Sequence, residues 1–346
     1  MHERRIAAPA GARRSAVARS APAVVAGTGR THVLALAVLL LAAPLAHGQG
    51  YAAQWMSKVT QAARTLSYTG TVMVRQGANF ETFRLAHLYE NGEEAEKLLS
   101  LDGPAREIVR TPQEVRYYFP DAKVVRIEPR TIRNVFPSLS PEQTANLAQY
   151  YEFKLVPGGR VAGRVTEMAV FDPKDGMRYG HRFWADPTTG LLLKSRLVNE
   201  KGDVIEEFAF TDVTINAKLD RDMLKPSWTS VPSDWKVKQG GPGEVVLKET
   251  DWIVNKLPAG FTKIMEGFRT FPGRTEPSVH LVYSDGLVSI SVFVEPFTVT
   301  QSQVGLTQTG GLAQYTARSD AYRVVVVGEA PPATVRQIAQ SVGRKQ

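Results

Sequence analysis

Downstream of residue 50, apolar side chains at Ala52, Trp55, Met56, Val59, Ala63 and Leu66 recur at i, i+3, i+4, i+7, i+11 and i+14, with Lys58, Gln61 and Arg64 between them. That spacing follows the helical period and predicts one amphipathic helix. The pattern then changes to runs rich in Val, Tyr, Phe and Thr, broken about every ten residues by turn pairs such as Asn91-Gly92, Asp102-Gly103, Pro120-Asp121 and Asp175-Gly176. Such runs predict an antiparallel sheet of many strands, because Gly, Asn and Asp tolerate the positive φ of tight hairpins. Within one run, Phe83, Leu85, His87 and Tyr89 share a face and Thr82 and Arg84 take the other.

A second helix is predicted from Ser140-Pro141-Glu142-Gln143, a capping box with proline in its first turn, to about Tyr150. Strands resume around residues 165–171, 179–184, 191–198 and 205–213. From Asn216 the chain loses periodicity and gathers Pro226, Pro232, Gly240, Gly241, Pro242 and Gly243, with Trp228 and Trp235 among them. Tryptophans in such a region commonly pack on a neighbouring domain. Beyond it come short strands at 245–247 and 252–254 and a hairpin over 280–295 turning at Ser284-Asp285-Gly286. A strand at 322–327 and a terminal helix carrying Val335, Ile338, Ala339 and Val342 complete the C-terminal part. The fold class expected is α+β: a large curved antiparallel sheet with helices on its concave face, plus a smaller α+β C-terminal domain.

The N-terminus reads differently. An arginine-bearing stretch runs into the uncharged segment 33–45, which is shorter than the roughly 20 residues that span a bilayer and is followed by Ala46-His47-Gly48. Residues 1–48 are therefore expected to be a removable secretory signal. Arg13-Arg14 lies far upstream of the apolar core and lacks the rest of a twin-arginine pattern, so ordinary Sec export is the expected route. The division expected is 1–48 signal, 49–215 first domain, 216–232 linker and 233–346 second domain.

Charge and composition narrow the function classes. Six arginines against Glu3 in the leader account for five of the eight net positive charges, leaving +3 on the rest. A mildly basic exported chain has no nucleic acid to meet, and its cations suit acidic partner segments or lipid phosphates. Cysteine is absent, which excludes disulfides, thiolate metal sites and a cysteine nucleophile. Beyond the leader the histidines are His87, His181 and His280, far apart and without an i, i+4 pair. Phosphate-cradling loops and a nucleophile elbow are also missing. Catalytic residues, metal ligands and cofactors are accordingly not expected, and a non-enzymatic binding role is.

What the first domain does carry is apolar and aromatic supply, and a curved sheet with a helix on its concave side can leave a groove for acyl chains. Candidate groove residues are Trp55, Met56, Tyr68, Met73, Phe83, Tyr118, Phe183, Phe208 and Phe210, the competing reading being that they simply fill the core. Candidate partner-binding residues are Tyr283, Phe293, Trp228 and Trp235.

The segment from Trp184 to Leu191 and the strand Glu206-Glu207-Phe208-Ala209-Phe210-Thr211-Asp212-Val213 resemble consecutive hairpins of LolA-like lipoprotein-binding folds. A wider set of blocks resembles the MucB/RseB family: Leu66-Ser67-Tyr68-Thr69-Gly70, the turn Leu101-Asp102-Gly103-Pro104-Ala105-Arg106-Glu107, Leu257-Pro258-Ala259-Gly260-Phe261 and the run from Tyr283 to Phe293. The resemblance covers the chain beyond the leader, in order. It implies a LolA-like half-barrel and a smaller C-terminal domain in the periplasm, holding the periplasmic region of a single-pass anti-sigma factor and shielding it from regulated proteolysis. Lipopolysaccharide or another lipid would release it. The alternative is a soluble carrier of lipoproteins or lipids, and a homo-oligomer is left open.

Overall fold

The computed structural model describes residues 45–130, 147–228, 230–239, 245–271, 274, 276–298 and 303–345, with side chains from residue 50 onward. The expected signal up to residue 44 and the start of the second predicted helix lie outside this range. The first helix, α1 (Leu45–Thr65), buries Ala52, Trp55, Met56 and Val59 as its periodicity predicts, while in its last turn Ala62 is buried and Ala63 only half-buried, Leu66 lies just past its end, and Lys58 and Arg64 face solvent.

Eleven strands follow in or beside hairpins: β1 (Tyr68–Gln76), β2 (Asn79–Glu90), β3 (Glu93–Ser100), β4 (Glu107–Arg110), β5 (Glu114–Phe119), β6 (Val124–Pro129), β7 (Tyr151–Val161), β8 (Arg164–Pro173), β9 (Gly180–Ala185), β10 (Leu192–Val198) and β11 (Val204–Ile215). With β12 (Lys236–Gln239) they form one open sheet among the described residues, ordered β12-β6-β5-β4-β3-β2-β1-β11-β10-β9-β8-β7. All pairs are antiparallel except β12 on β6. Its central join, β1 to β11, closes about 140 residues of chain.

The sheet curls round α1. Trp55 reaches Glu167 on β8 and Arg64 reaches Glu94 on β3. Those strands are about 29 Å apart on a flat sheet, whereas the two helix residues are about 14 Å apart along the axis. Long side chains and curvature make up the difference, and β7 comes within 8 Å of β11 although β8, β9 and β10 lie between them in the sheet.

The smaller sheet runs β13-β15-β16-β17-β20-β19-β18, built from β13 (Val245–Leu247), β15 (Thr262–Arg269), β16 (Ser278–Ser284), β17 (Ser289–Pro296), β18 (Gly305–Thr309), β19 (Leu312–Ser319) and β20 (Tyr322–Gly328). Beside it β14 (Trp252–Val254) pairs with β21 (Val342–Arg344), and α2 (Pro332–Ala339) packs Val335 and Ile338 into the core with Leu281, Ile290 and Val326. The terminal helix is shorter than its apolar spacing suggests. It stops at Ala339, and Val342 belongs to β21, where it pairs with Val254. The hairpin of β18 and β19 carried no strong alternation, and its edge strand is largely exposed.

The stretch read as a linker is held down. Lys97 Nζ donates to the Lys225 carbonyl, Ser227 N donates to the buried Glu107 carboxylate at 2.8 Å, and Trp228 stacks on Tyr118 at 5.6 Å. The strand after it, β12, adds to the edge of the large sheet rather than to the smaller one, although its four side chains are exposed and backbone pairing alone seats it.

Candidate functional site: an aromatic interior joined to the second lobe

Two apolar clusters line the α1 side of the large sheet. In the first, Trp55, Met56 and Val59 from α1 meet Ala169, Phe171, Phe183 and Ala185 from β8 and β9, with Leu147 and Tyr151 beside them. Phe183 lies 6.5 Å from the Trp55 ring and 5.9 Å from Phe171, and Phe171 meets Tyr151 edge-on at 6.3 Å. The Trp55 indole N–H donates to Glu167 at 2.8 Å, so its polar end is satisfied while the rest is buried. In the second cluster Tyr68, Val72, Phe83, Leu85 and Phe210 pack with Leu191, Leu193 and the far end of β7 at Val161. Tyr68 stacks on His87 at 4.7 Å and meets Phe210 edge-on at 6.1 Å, and Phe208 extends the cluster as a half-buried ring.

Seven of the nine proposed groove residues thus converge on the α1 side: Trp55, Met56 and Phe183 in one cluster, Tyr68, Phe83, Phe208 and Phe210 in the other. The other two lie on the opposite face. Leu85, Leu98, Ile108 and Tyr117 are cross-strand partners along the α1 side, which turns Tyr118 outward, where it packs with Val109, Val125 and Trp228. Met73 is the odd neighbour of Val72 in β1 and shares its face with Thr82 and Ala209. Adjacent strand residues point to opposite faces, and a composition-based choice does not see that.

The proposed partner residues are scattered. Tyr283 is a core residue of the smaller lobe, 3% exposed. Phe293 is half-buried on the other face of the same sheet, stacked on His280 at 4.3 Å and edge-on to Phe271 at 5.5 Å. Trp228 and Trp235 lie 5.3 Å apart in the strap over the outer face of the large sheet.

The joint between lobes is built from residues that composition did not single out. The turn at Asp285, between β16 and β17, enters the large lobe and meets Arg178 just before β9, with Arg178 Nη1 3.1 Å from Asp285 Oδ2 and both side chains fully buried. Tyr151 Oη donates to the same oxygen at 2.9 Å, and Asp285 Oδ1 accepts from the backbone N–H groups of Leu287 and Val288. Arg178 also donates to Asp175 and to the Ala259 carbonyl, and its guanidinium lies over the rings of Tyr150, Tyr151 and Phe261 at 5.0, 5.5 and 5.1 Å. Burial raises the Asp285 carboxyl, opposed by the turn amides, Arg178 and Tyr151. Burial likewise drives the Tyr151 hydroxyl well up, which keeps it a donor. Outlying contacts are Thr334 to the Met177 carbonyl and Gly311 N to Glu206. The only signal for this joint in the amino-acid order was the pair of blocks at 257–261 and 283–293, which converge on Arg178 from the smaller lobe.

Among the described residues, groups of three or more His, Cys, Asp or Glu placed to hold a metal ion are absent. None of the described helices is long and apolar enough to cross a membrane.

A curled open sheet with an aromatic interior, locked to a second lobe through a buried ion pair, defines a two-lobed binding scaffold. Its residues 51–228 match the MucB/RseB N-terminal domain and 246–343 the MucB/RseB C-terminal domain, so the chain belongs to the MucB/RseB family. The sigma factor AlgU regulatory protein MucB of Pseudomonas aeruginosa is 31% identical over 320 residues, covering 90% of this chain and 96% of that protein. The sigma-E factor regulatory protein RseB of Escherichia coli K12 is 27% identical, covering 83% and 89%. Among solved structures, MucB in complex with MucA(peri) aligns at 30% identity with a TM-score of 0.64, covering 85% of this chain and 99% of that one.

Proposed function

We propose that this chain is a periplasmic regulatory protein that binds the periplasmic region of a single-pass anti-sigma factor, shields it from proteolysis, and is released by a lipid such as lipopolysaccharide. The observation that carries the first part is the match along both lobes to MucB as seen in its complex with MucA(peri). The seven aromatic and apolar side chains gathered under α1 support the lipid part, since hydrocarbon entering there would exchange one apolar surface for another. The mechanism is linkage: partner and lipid each bind the folded protein, and a coupling of about 1–3 kcal/mol changes partner affinity roughly 5–150-fold without any covalent step.

The test mixes the purified mature chain with the periplasmic segment of the anti-sigma factor and follows its cleavage by the initiating protease, with and without lipopolysaccharide. Protection that lipid abolishes is the expected result. Unimpeded cleavage would sink the regulatory role, and lipid binding without partner binding would move the assignment to a carrier.

A further inference from the structure

We propose that Tyr151 couples occupancy of the large lobe's interior to the seating of the smaller lobe, so that filling the interior unlatches Asp285 from Arg178. This rests on the reading that the interior accepts an acyl chain. Tyr151 belongs to both places at once. Its ring is a member of the cluster formed by Trp55, Met56, Phe171 and Phe183, and its hydroxyl donates to Asp285 across the lobe boundary. Leu287, two residues on in the same turn, packs against that cluster too. The ring and the turn therefore share one wall.

The cluster is tightly filled, with Met56, Leu147, Tyr151 and Phe171 all at 1% exposure or less. An alkyl chain entering between α1 and β7 to β9 has to displace one of these side chains. Tyr151 opens β7, the edge strand of the sheet, so it has a strand neighbour on one side only. When its ring moves, Asp285 loses the hydroxyl donor while remaining buried beside Arg178, and a buried carboxylate short of a partner favours rehydration, which requires the lobes to part. Linkage makes the relation reciprocal: a protein with the latch already weakened binds amphiphile more tightly.

The absence of native cysteine makes the test direct. Glu200→Cys on the large lobe and Ala321→Cys on the smaller one, both exposed positions, carry spin labels in the full mature chain. Interlobe distances are measured with and without a monomeric lysophospholipid and, separately, purified lipopolysaccharide, in wild type, Tyr151→Phe and Asp285→Asn. Expected are a lengthened or broadened distribution when wild type is saturated, the same distribution in ligand-free Tyr151→Phe, and binding to that variant tighter by about 5-fold or more. Asp285→Asn, which leaves the interior untouched, is expected to reproduce the ligand-free shift. Binding with unchanged distances, or a Tyr151→Phe protein that keeps the wild-type distances, overturns the coupling alone. No binding of either amphiphile overturns the lipid reading and the coupling with it.

Discussion

Arg178 and Asp285 form an ion pair across the two lobes at 3.1 Å, with neither side chain open to solvent. Such a pair is worth little against an apolar replacement of the same shape, but losing one partner strands a charge in the interior. Asp285→Ala is therefore expected to destabilise the protein by about 3–5 kcal/mol. Arg178→Met with Asp285→Leu should lose clearly less than the two single changes together. Urea denaturation of Asp285→Ala, of Arg178→Met and Asp285→Leu singly and of their double variant checks this, and strict additivity would show that the charges do not act as a pair.

Gly260, in the block that meets Arg178, combines a positive φ with a crowded Cβ position. Its φ is +88°, and a Cβ there would come within 2.4 Å of the Tyr150 ring, which itself lies against the Arg178 guanidinium. Gly260→Ala is expected to cost at least about 2 kcal/mol, the strain of the backbone adding to displacement of that ring. Gly92→Ala provides the control: φ is +81° but the space is open, so only the backbone cost of about 1 kcal/mol applies. Equal losses of melting temperature in the two variants would count against a packing role for Gly260.

Residues 225–239 make a strap whose hold depends on few side chains. Trp228 stacks between Tyr118 and Trp235, while β12 beyond it buries nothing. Removing a half-buried indole costs about 1–2 kcal/mol, which raises the population of the detached strap about 10-fold. Trp228→Ala is expected to speed tryptic cleavage at Lys236 and Lys238 by about that factor, with the large lobe surviving as a fragment. An unchanged cleavage rate would mean that backbone pairing to β6 suffices.

Local features of this architecture were legible where one physical signal dominated. The stripe from Ala52 to Val59 is the buried face of α1, and the hairpin turns at Asn91-Gly92 and Gly202 do show positive φ. The alternation of Val288, Ile290, Val292 and Val294 also marks the core face of β17. What pattern does not carry is pairing at long range. Nothing local to β1 says that its second neighbour is β11, and Lys236-Val237-Lys238-Gln239 has no buried face from which a strand could be inferred. The candidate groove residues were drawn from composition, so they include Tyr118 and Met73, which lie on the face opposite α1. The joint was missed because an arginine and an aspartate far apart in sequence look solvated until the fold buries them together.

Acid should weaken the fold through His181 and His280. Burial holds His181 at about 4 and His280 at about 3, helped by Arg182 and Arg269 respectively, against 6.5 for an ordinary histidine. The folded chain thus keeps both rings neutral while the unfolded chain protonates them below pH 6.5, so stability falls as pH drops through that value and levels off only near the folded pKa values. At pH 5 the loss is about 2 kcal/mol per histidine. Asp285 and Glu329, whose carboxyls burial raises, act in the opposite sense and reduce the total. Glu266, held down at about 2 by Lys263, Thr250 and Lys345, starts to lose its contribution only below about pH 4.5, so the window from 6.5 to 5 belongs to the histidines. Unfolding free energies from urea titrations at pH 7.5 and 5.0 should therefore differ by about 2–4 kcal/mol in wild type, and His181→Gln or His280→Gln should each remove part of that slope. A stability that is flat or rises on acidification would mean that the buried carboxyls outweigh both rings.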